Sequence, residues 1–266
     1  MNGLPRFRLG CALLVLVAWS SPSYGADEPF VVPPDVAKAL EPITAGYQPA
    51  KRHAEWMQTN EIWNPGNFGR PLYADGPSRI VLQDNGLWLV ESSSQFRDKG
   101  SAGSGIGLSL CGLVPMLAAG SSSFQPWQGL RGLGDIRIPD AFSTRARVIE
   151  FKATSADVCR PTTGLAFEID LTREVNNRLG LAPTSSKRRE RYSCNVGDAV
   201  PAASLGVALE ASAIKVTCQR RTNDDPPIAL EYAFVEPIAT YLIVKSVNGD
   251  FKTNSSYKSL EFPATN

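Results

Sequence analysis

This chain is poor in histidine, holds no excess of either charge and has no CxxC pair, and each shortage closes off a class of function. Only one histidine, His53, stands among 266 residues. Any Ser-His-Asp or Cys-His mechanism must therefore run through it, and a zinc site with two imidazoles is excluded within one chain. Its neighbours Lys51, Arg52 and Glu55 read as a solvated segment. Without CxxC, neither a zinc ribbon nor a thioredoxin-like redox centre is indicated. Lysine and arginine number 27 against 26 aspartates and glutamates. A balance that close excludes the strong positive field of a general nucleic-acid or anionic-membrane binder.

Long apolar runs are also scarce. The one at residues 9–19 follows Arg6 and Arg8 and precedes small and turn-forming residues. It falls short of the about 20 residues of a membrane span and matches a secretory leader, with cleavage after Gly25 or Ala26. Residues 1–26 are thus expected to be a signal peptide, and no transmembrane segment is expected after its removal. Losing Arg6 and Arg8 leaves 25 basic against 26 acidic residues, a formal charge of −1.

Four cysteines remain: Cys111, Cys159, Cys194 and Cys218. An even number in an oxidising compartment reads as two disulfides. Three pairings are possible, and proximity favours Cys111–Cys159 with Cys194–Cys218. The latter ends two strand-like segments and resembles a staple contributing about 3 kcal/mol through the unfolded chain.

Prolines punctuate residues 27–77, which are expected to form an arm over a core at 78–266, with one short helix near residues 35–40. Thereafter period-two alternation dominates. Residues 79–83 and 87–91 flank Asn85-Gly86, the strongest short hairpin signal. Leu165, Phe167, Ile169 and Leu171 share one strand face, as do Ile228, Leu230, Tyr232 and Phe234. Residues 172–179 read as a helical turn and 184–189 as a polar loop. About nine strands result, and the class is all-β: an antiparallel sandwich or small barrel with a proline-rich N-terminal arm.

Chemistry is harder to find. The glycine-rich residues 100–107 lack Gly-Lys-Ser/Thr, Gly-x-Gly-x-x-Gly and Gly-x-Ser-x-Gly, and read as a loop. Glu168 and Asp170 share a strand face, roughly 7 Å apart at Cβ, the one carboxylate pair with spacing suited to hydrolysis. Lys187, Arg188 and Arg189 form the single basic cluster, a candidate for anionic partners. Trp56, Trp63, Trp88 and Trp127 are candidate ligand-stacking rings. No cofactor or metal ligand set is implied. The reading is an exported, periplasmic or extracellular, non-enzymatic β protein binding an envelope partner or ligand through its loops. The alternatives are a secreted carboxylate hydrolase and a structural envelope component.

Overall fold

The computed structural model describes residues 31–64, 70–97, 101–124, 138–179 and 182–263. Among them, antiparallel strands run in chain order around a ring that closes on itself. The first six are β1 (His53–Trp63), β2 (Leu72–Leu82), β3 (Trp88–Phe96), β4 (Ala102–Leu110), β5 (Val114–Phe124) and β6 (Ile138–Ala153). The ring continues through β7 (Ala166–Leu179), β8 (Ala182–Pro201), β9 (Ser212–Thr222), β10 (Ile228–Val235), β11 (Thr240–Asn248) and β12 (Phe251–Glu261). Pairing of β1 with β12 completes an all-β barrel. Closure gives every strand among the described residues two neighbours, so none is an edge strand, although β11 and β12 pair over only Lys245–Asn248 and Phe251–Asn254.

Alternation decides which face is the core. On β7, Phe167, Ile169 and Leu171 are buried, while Glu168, Asp170 and Thr172 between them are not. The same phase carries across the ladder to Cys194 and Tyr192 on β8 and to Val216 and Cys218 on β9. Outward positions carry charge around the ring: Arg79, Glu91, Arg147, Lys152, Asp170, Arg191, Lys215, Glu231 and Lys245. Lipid-facing barrel positions are apolar, and a single Lys or Arg there costs about 2–4 kcal/mol. The outer face is therefore built for water. No helix among the described residues is long and apolar enough to cross a membrane.

One end of the barrel is closed by the one α-helix among the described residues, α1 (Pro34–Thr44). Proline at its first position fits a helix start, since that N–H has no intrahelical partner. Its Val36, Leu40 and Ile43 are buried, and the chain then places Tyr47 against Trp88. Trp88 Nε1 donates to Tyr47 Oη at 2.6 Å, and Tyr47 Oη donates to Ala239 O at 2.6 Å. Tyr47→Phe is expected to cost about 1–3 kcal/mol, because it leaves the buried indole N–H unpaired. A thermal-unfolding shift in that range checks it, and an unchanged midpoint refutes it.

Cys111–Cys159 ties the β4–β5 turn to a 3₁₀ turn at Ala156–Cys159 beside α1, and Cys194–Cys218 joins register partners on β8 and β9. The pairing favoured by proximity is the one formed. Loops of 48 and 24 residues correspond to about 4 and about 3.5 kcal/mol of restricted unfolded-chain entropy.

Several local expectations are corrected. Twelve strands form among the described residues rather than about nine. β1 and the first half of β2, up to Pro77, come from the stretch expected to be an arm, while the rest of β2 lies where a strand is expected. Pro77 fits because the β2–β3 ladder lapses at Gly76 and Pro77 and resumes at Ser78. The glycine-rich loop is mostly β4, where Gly103, Gly105 and Gly107 occupy inward positions. Residues 172–179 are strand, not helix, because β6 and β8 pair with them on both sides. Residues 184–189 lie within β8, so the basic cluster is barrel wall and not a hairpin tip. The expected leader, residues 1–26, and Trp127 lie outside the described residues.

Candidate functional site

The wall disperses most of the sequence candidates. Trp56 and Trp88 point inward and are buried, and Trp63 is 37% exposed at the end of β1. These rings do not form a shared stacking face. Lys187 and Arg189 face outward and Arg188 inward, because adjacent strand residues alternate. Glu168 and Asp170 share the outer face over a shallow depression of about 680 Å³. Both carboxylates have partners there. Arg191 Nε donates to Asp170 at 2.6 Å, and Ser193 Oγ donates to Glu168 Oε1 at 3.3 Å. His53 Nε2 lies 3.0 Å from Glu55 Oε1 at the start of β1. No cluster of three His, Cys, Asp or Glu residues suited to a metal occurs among the described residues.

What the register assembles instead is a groove of about 1600 Å³, lined mainly by outward residues of β12 and β1 to β8 and also by the inward Trp56, Ser78, Gly105 and Asn177. Its central line is a single row of cross-strand partners. Glu261 on β12 faces Glu55 on β1, which faces Arg79 on β2, which faces Glu91 on β3. The row continues through Ile106 on β4 and Ala119 on β5 to Arg145 on β6. It ends through Asn176 on β7 at Ser185 on β8. Nine strands at about 4.8 Å spacing give it a length of roughly 38 Å along the wall.

Small and hydroxyl-bearing residues floor this row, with Ser93, Ser104 and Ser121 beside Ile106 and Ala119. The charges segregate along it. Glu55, Glu91 and Glu261 stand with Arg79 at one end, and Arg145 and Arg178 at the other. Arg79 and Glu91 form an ion pair at 2.9 Å. The sum is zero, so the groove does not select for net charge. Behind its middle, the inward side of β4 and β5 presents Gly103, Gly105, Gly120 and Ser122. That bare inner wall leaves a chamber of about 430 Å³, lined also by Gln58, Asn60, Ser92 and Ser94. Gln58 Nε2 and Ser255 Oγ both donate to Asn60 Oδ1, at 2.9 and 2.7 Å.

No family model, curated protein or solved structure matches this chain. Its chemistry is therefore read from the groove itself. Hydroxyl and amide side chains both donate and accept, which suits a ligand bearing hydroxyls along its length. Every strand among the described residues has a paired neighbour on both sides, so a peptide finds no free edge strand at the groove. No single stretch of sequence signals the site, since its residues lie on nine strands between positions 55 and 261. The one local cue is the run of serines and glycines on adjacent strands β3, β4 and β5.

Proposed function

We propose that the protein is an exported, non-enzymatic binding protein that holds an extended, hydroxyl-rich ligand, a glycan strand of the cell envelope, along the outer groove. The observation that carries this is one concavity across nine strands, roughly 38 Å along its central row, whose lining adds Ser93, Ser104, Ser121 and Ser143 to Asn176 and Ser185 and balances three glutamates with three arginines. Export is supported by two disulfides, which persist in oxidising compartments, together with the leader-like composition of the first 26 residues. The ligand is engaged along the wall, and the loops that the sequence pointed to are not needed for the contact.

The test is binding of a soluble N-acetylglucosamine tetramer, with a maltose-type tetramer as the comparison sugar. Ala119→Trp and Ser121→Trp fill the groove floor from outward positions, where the core is not disturbed. Each is expected to weaken binding of at least one sugar by roughly tenfold or more, about 1.4 kcal/mol, with an unchanged unfolding midpoint. Calorimetric titration showing no saturable binding of either sugar to the unmodified protein overturns the reading. Equal affinity in both filled variants does the same.

A further inference from the structure

On β7, β8 and β9 the inward residues change from apolar to charged at one layer. Moving away from α1, the inward residues of β7 run Phe167, Ile169, Leu171 and Arg173. Those of β8 run Cys194, Tyr192, Glu190 and Arg188, and those of β9 run Val216, Cys218, Arg220 and Thr222. Arg173 Nη1 lies 3.2 Å from Glu190 Oε1, with the two side chains 12% and 6% exposed. Arg173 Nη2 also donates to Pro115 O at 2.9 Å, and Tyr192 Oη donates to Glu190 Oε2 at 3.3 Å. Both carboxylate oxygens are thus in use.

Among the described residues, three guanidiniums, Arg173, Arg188 and Arg220, stand at the layer of this one carboxylate. Arg220 sits opposite Tyr192 in the ladder, and its Nε is buried without a hydrogen-bond partner. Arg188 is the direct cross-strand partner of Arg173, a placement in which like charges repel. Arg220 also hydrogen-bonds Tyr192 and feels the Glu190 charge, so the layer holds more positive charge than Glu190 alone neutralises, and unneutralised charge away from water carries a desolvation penalty. The layer is nonetheless reachable, because Arg188 and the next inward residues toward the mouth, Ser186 and Thr184, are exposed. Access is along β8, where these residues are exposed, while on β7 the inward Val175 beyond Arg173 is buried.

We propose that this layer is an anion-binding site, separate from the outer groove, which takes an oxyanion group, carboxylate or phosphate, along the exposed inward side of β8. Arg220 and Arg188 supply the donors, and Glu190 keeps Arg173 and Tyr192 in place as the wall of the site. An oxyanion neutralises the excess charge and gives the Arg220 Nε–H its acceptor. Fork-shaped guanidiniums suit that geometry better than lysine would.

The probes are inorganic phosphate, acetate and a short-chain alkyl phosphate kept below its micellar concentration, each titrated into the full exported chain. At least one is expected to bind saturably, more weakly as salt rises. A free small anion is the natural ligand if phosphate and alkyl phosphate bind alike, and an amphiphile headgroup if the alkyl chain adds affinity. Arg220→Gln and Arg188→Gln are each expected to weaken binding by roughly tenfold. Arg191→Gln, on the outer face and bonded to Asp170, is expected to leave it unchanged. Arg220→Gln is further expected to hold or raise the unfolding midpoint without anion, a result that a purely structural arginine would not give. No saturable binding of any probe overturns the proposal, as does equal weakening by Arg191→Gln. If Arg220→Gln does not fold, Arg188→Gln at the exposed position decides, and unaltered binding there overturns it.

Discussion

Raising the pH beyond 10 is expected to unfold this protein abruptly, within one to two pH units. Five tyrosines, Tyr47, Tyr192, Tyr232, Tyr241 and Tyr257, are buried, and burial pushes each phenol up from its usual value near 10. Tyr47 is pushed up to about 12. Four of the rings belong to the core packing itself. Tyr241 stands edge-on to Tyr232 and Phe234 at 5.9 and 4.9 Å, Tyr257 stands edge-on to Trp56, and Tyr192 lies on the inward face of β8. In the unfolded chain the same phenols ionise near pH 10. The unfolded state therefore binds fewer protons than the folded one above pH 10, and stability falls as pH rises. The contribution is fully present below pH 10 and is lost as pH climbs toward the folded values. Five groups give a slope of about 7 kcal/mol per pH unit once the unfolded phenols are ionised. Domain stabilities of about 5–15 kcal/mol cannot withstand more than one or two such units. Phenolate absorbance and far-ultraviolet dichroism should change together over a narrow range. Gradual ionisation of these five near pH 10, with dichroism intact, would sink the expectation.

Of those tyrosines, Tyr232 reads in the sequence as a member of an alternating face, as do many of the barrel's inward residues. Ile228, Leu230, Tyr232 and Phe234 mark an inward face by spacing alone, and Asn85-Gly86 forms its turn with Gly86 at a φ of +77°. The misreadings fall where inward residues stop being apolar. Beyond Leu171, the inward set of β7 becomes Arg173, Val175 and Asn177. Its alternation then disappears from view, although the ladders on both sides hold the chain extended. Beyond Tyr192 toward the mouth, β8 likewise turns to Glu190, Arg188 and Ser186. The polar upper interior thus conceals its own strands.

The candidate sites were less legible for a related reason. Lys187, Arg188 and Arg189 look like one patch in sequence, but the pleat sends the middle residue inside and its neighbours outside. The groove is a property of register across nine strands, and no pattern within one strand announces it. The charged layer did leave a trace: Arg173 lies two residues beyond Leu171, Glu190 two before Tyr192, and Arg220 two beyond Cys218. A charge in phase with a buried face marks either a strand end or a buried ionic site, and only the register shows that all three stand together.

Removal of the Glu190 carboxylate is expected to be the most damaging single polar substitution in the barrel. Ranked by distance alone, Arg191–Asp170 at 2.6 Å would outweigh Arg173–Glu190 at 3.2 Å. Burial reverses the order. The Arg191 and Asp170 side chains are 61% and 45% exposed, and exposed pairs contribute about 0–1 kcal/mol. Glu190→Gln leaves the largely buried Arg173 and the half-buried Arg220 without the carboxylate they share among the described residues, for which about 3–5 kcal/mol is expected. Asp170→Asn should shift stability by under about 1 kcal/mol. The double variant Arg173→Gln/Glu190→Gln should recover part of the loss, because it removes a buried charge together with its partner. Denaturant unfolding of the unmodified protein, Arg173→Gln, Glu190→Gln and the double variant measures this coupling, with Asp170→Asn as the exposed comparison. A Glu190→Gln effect no larger than that of Asp170→Asn would show that water screens the layer as it does the outer face. It would then follow that Arg173 and Arg220 bear no excess charge needing an anion, so the ionic layer and the site proposed on it stand or fall together.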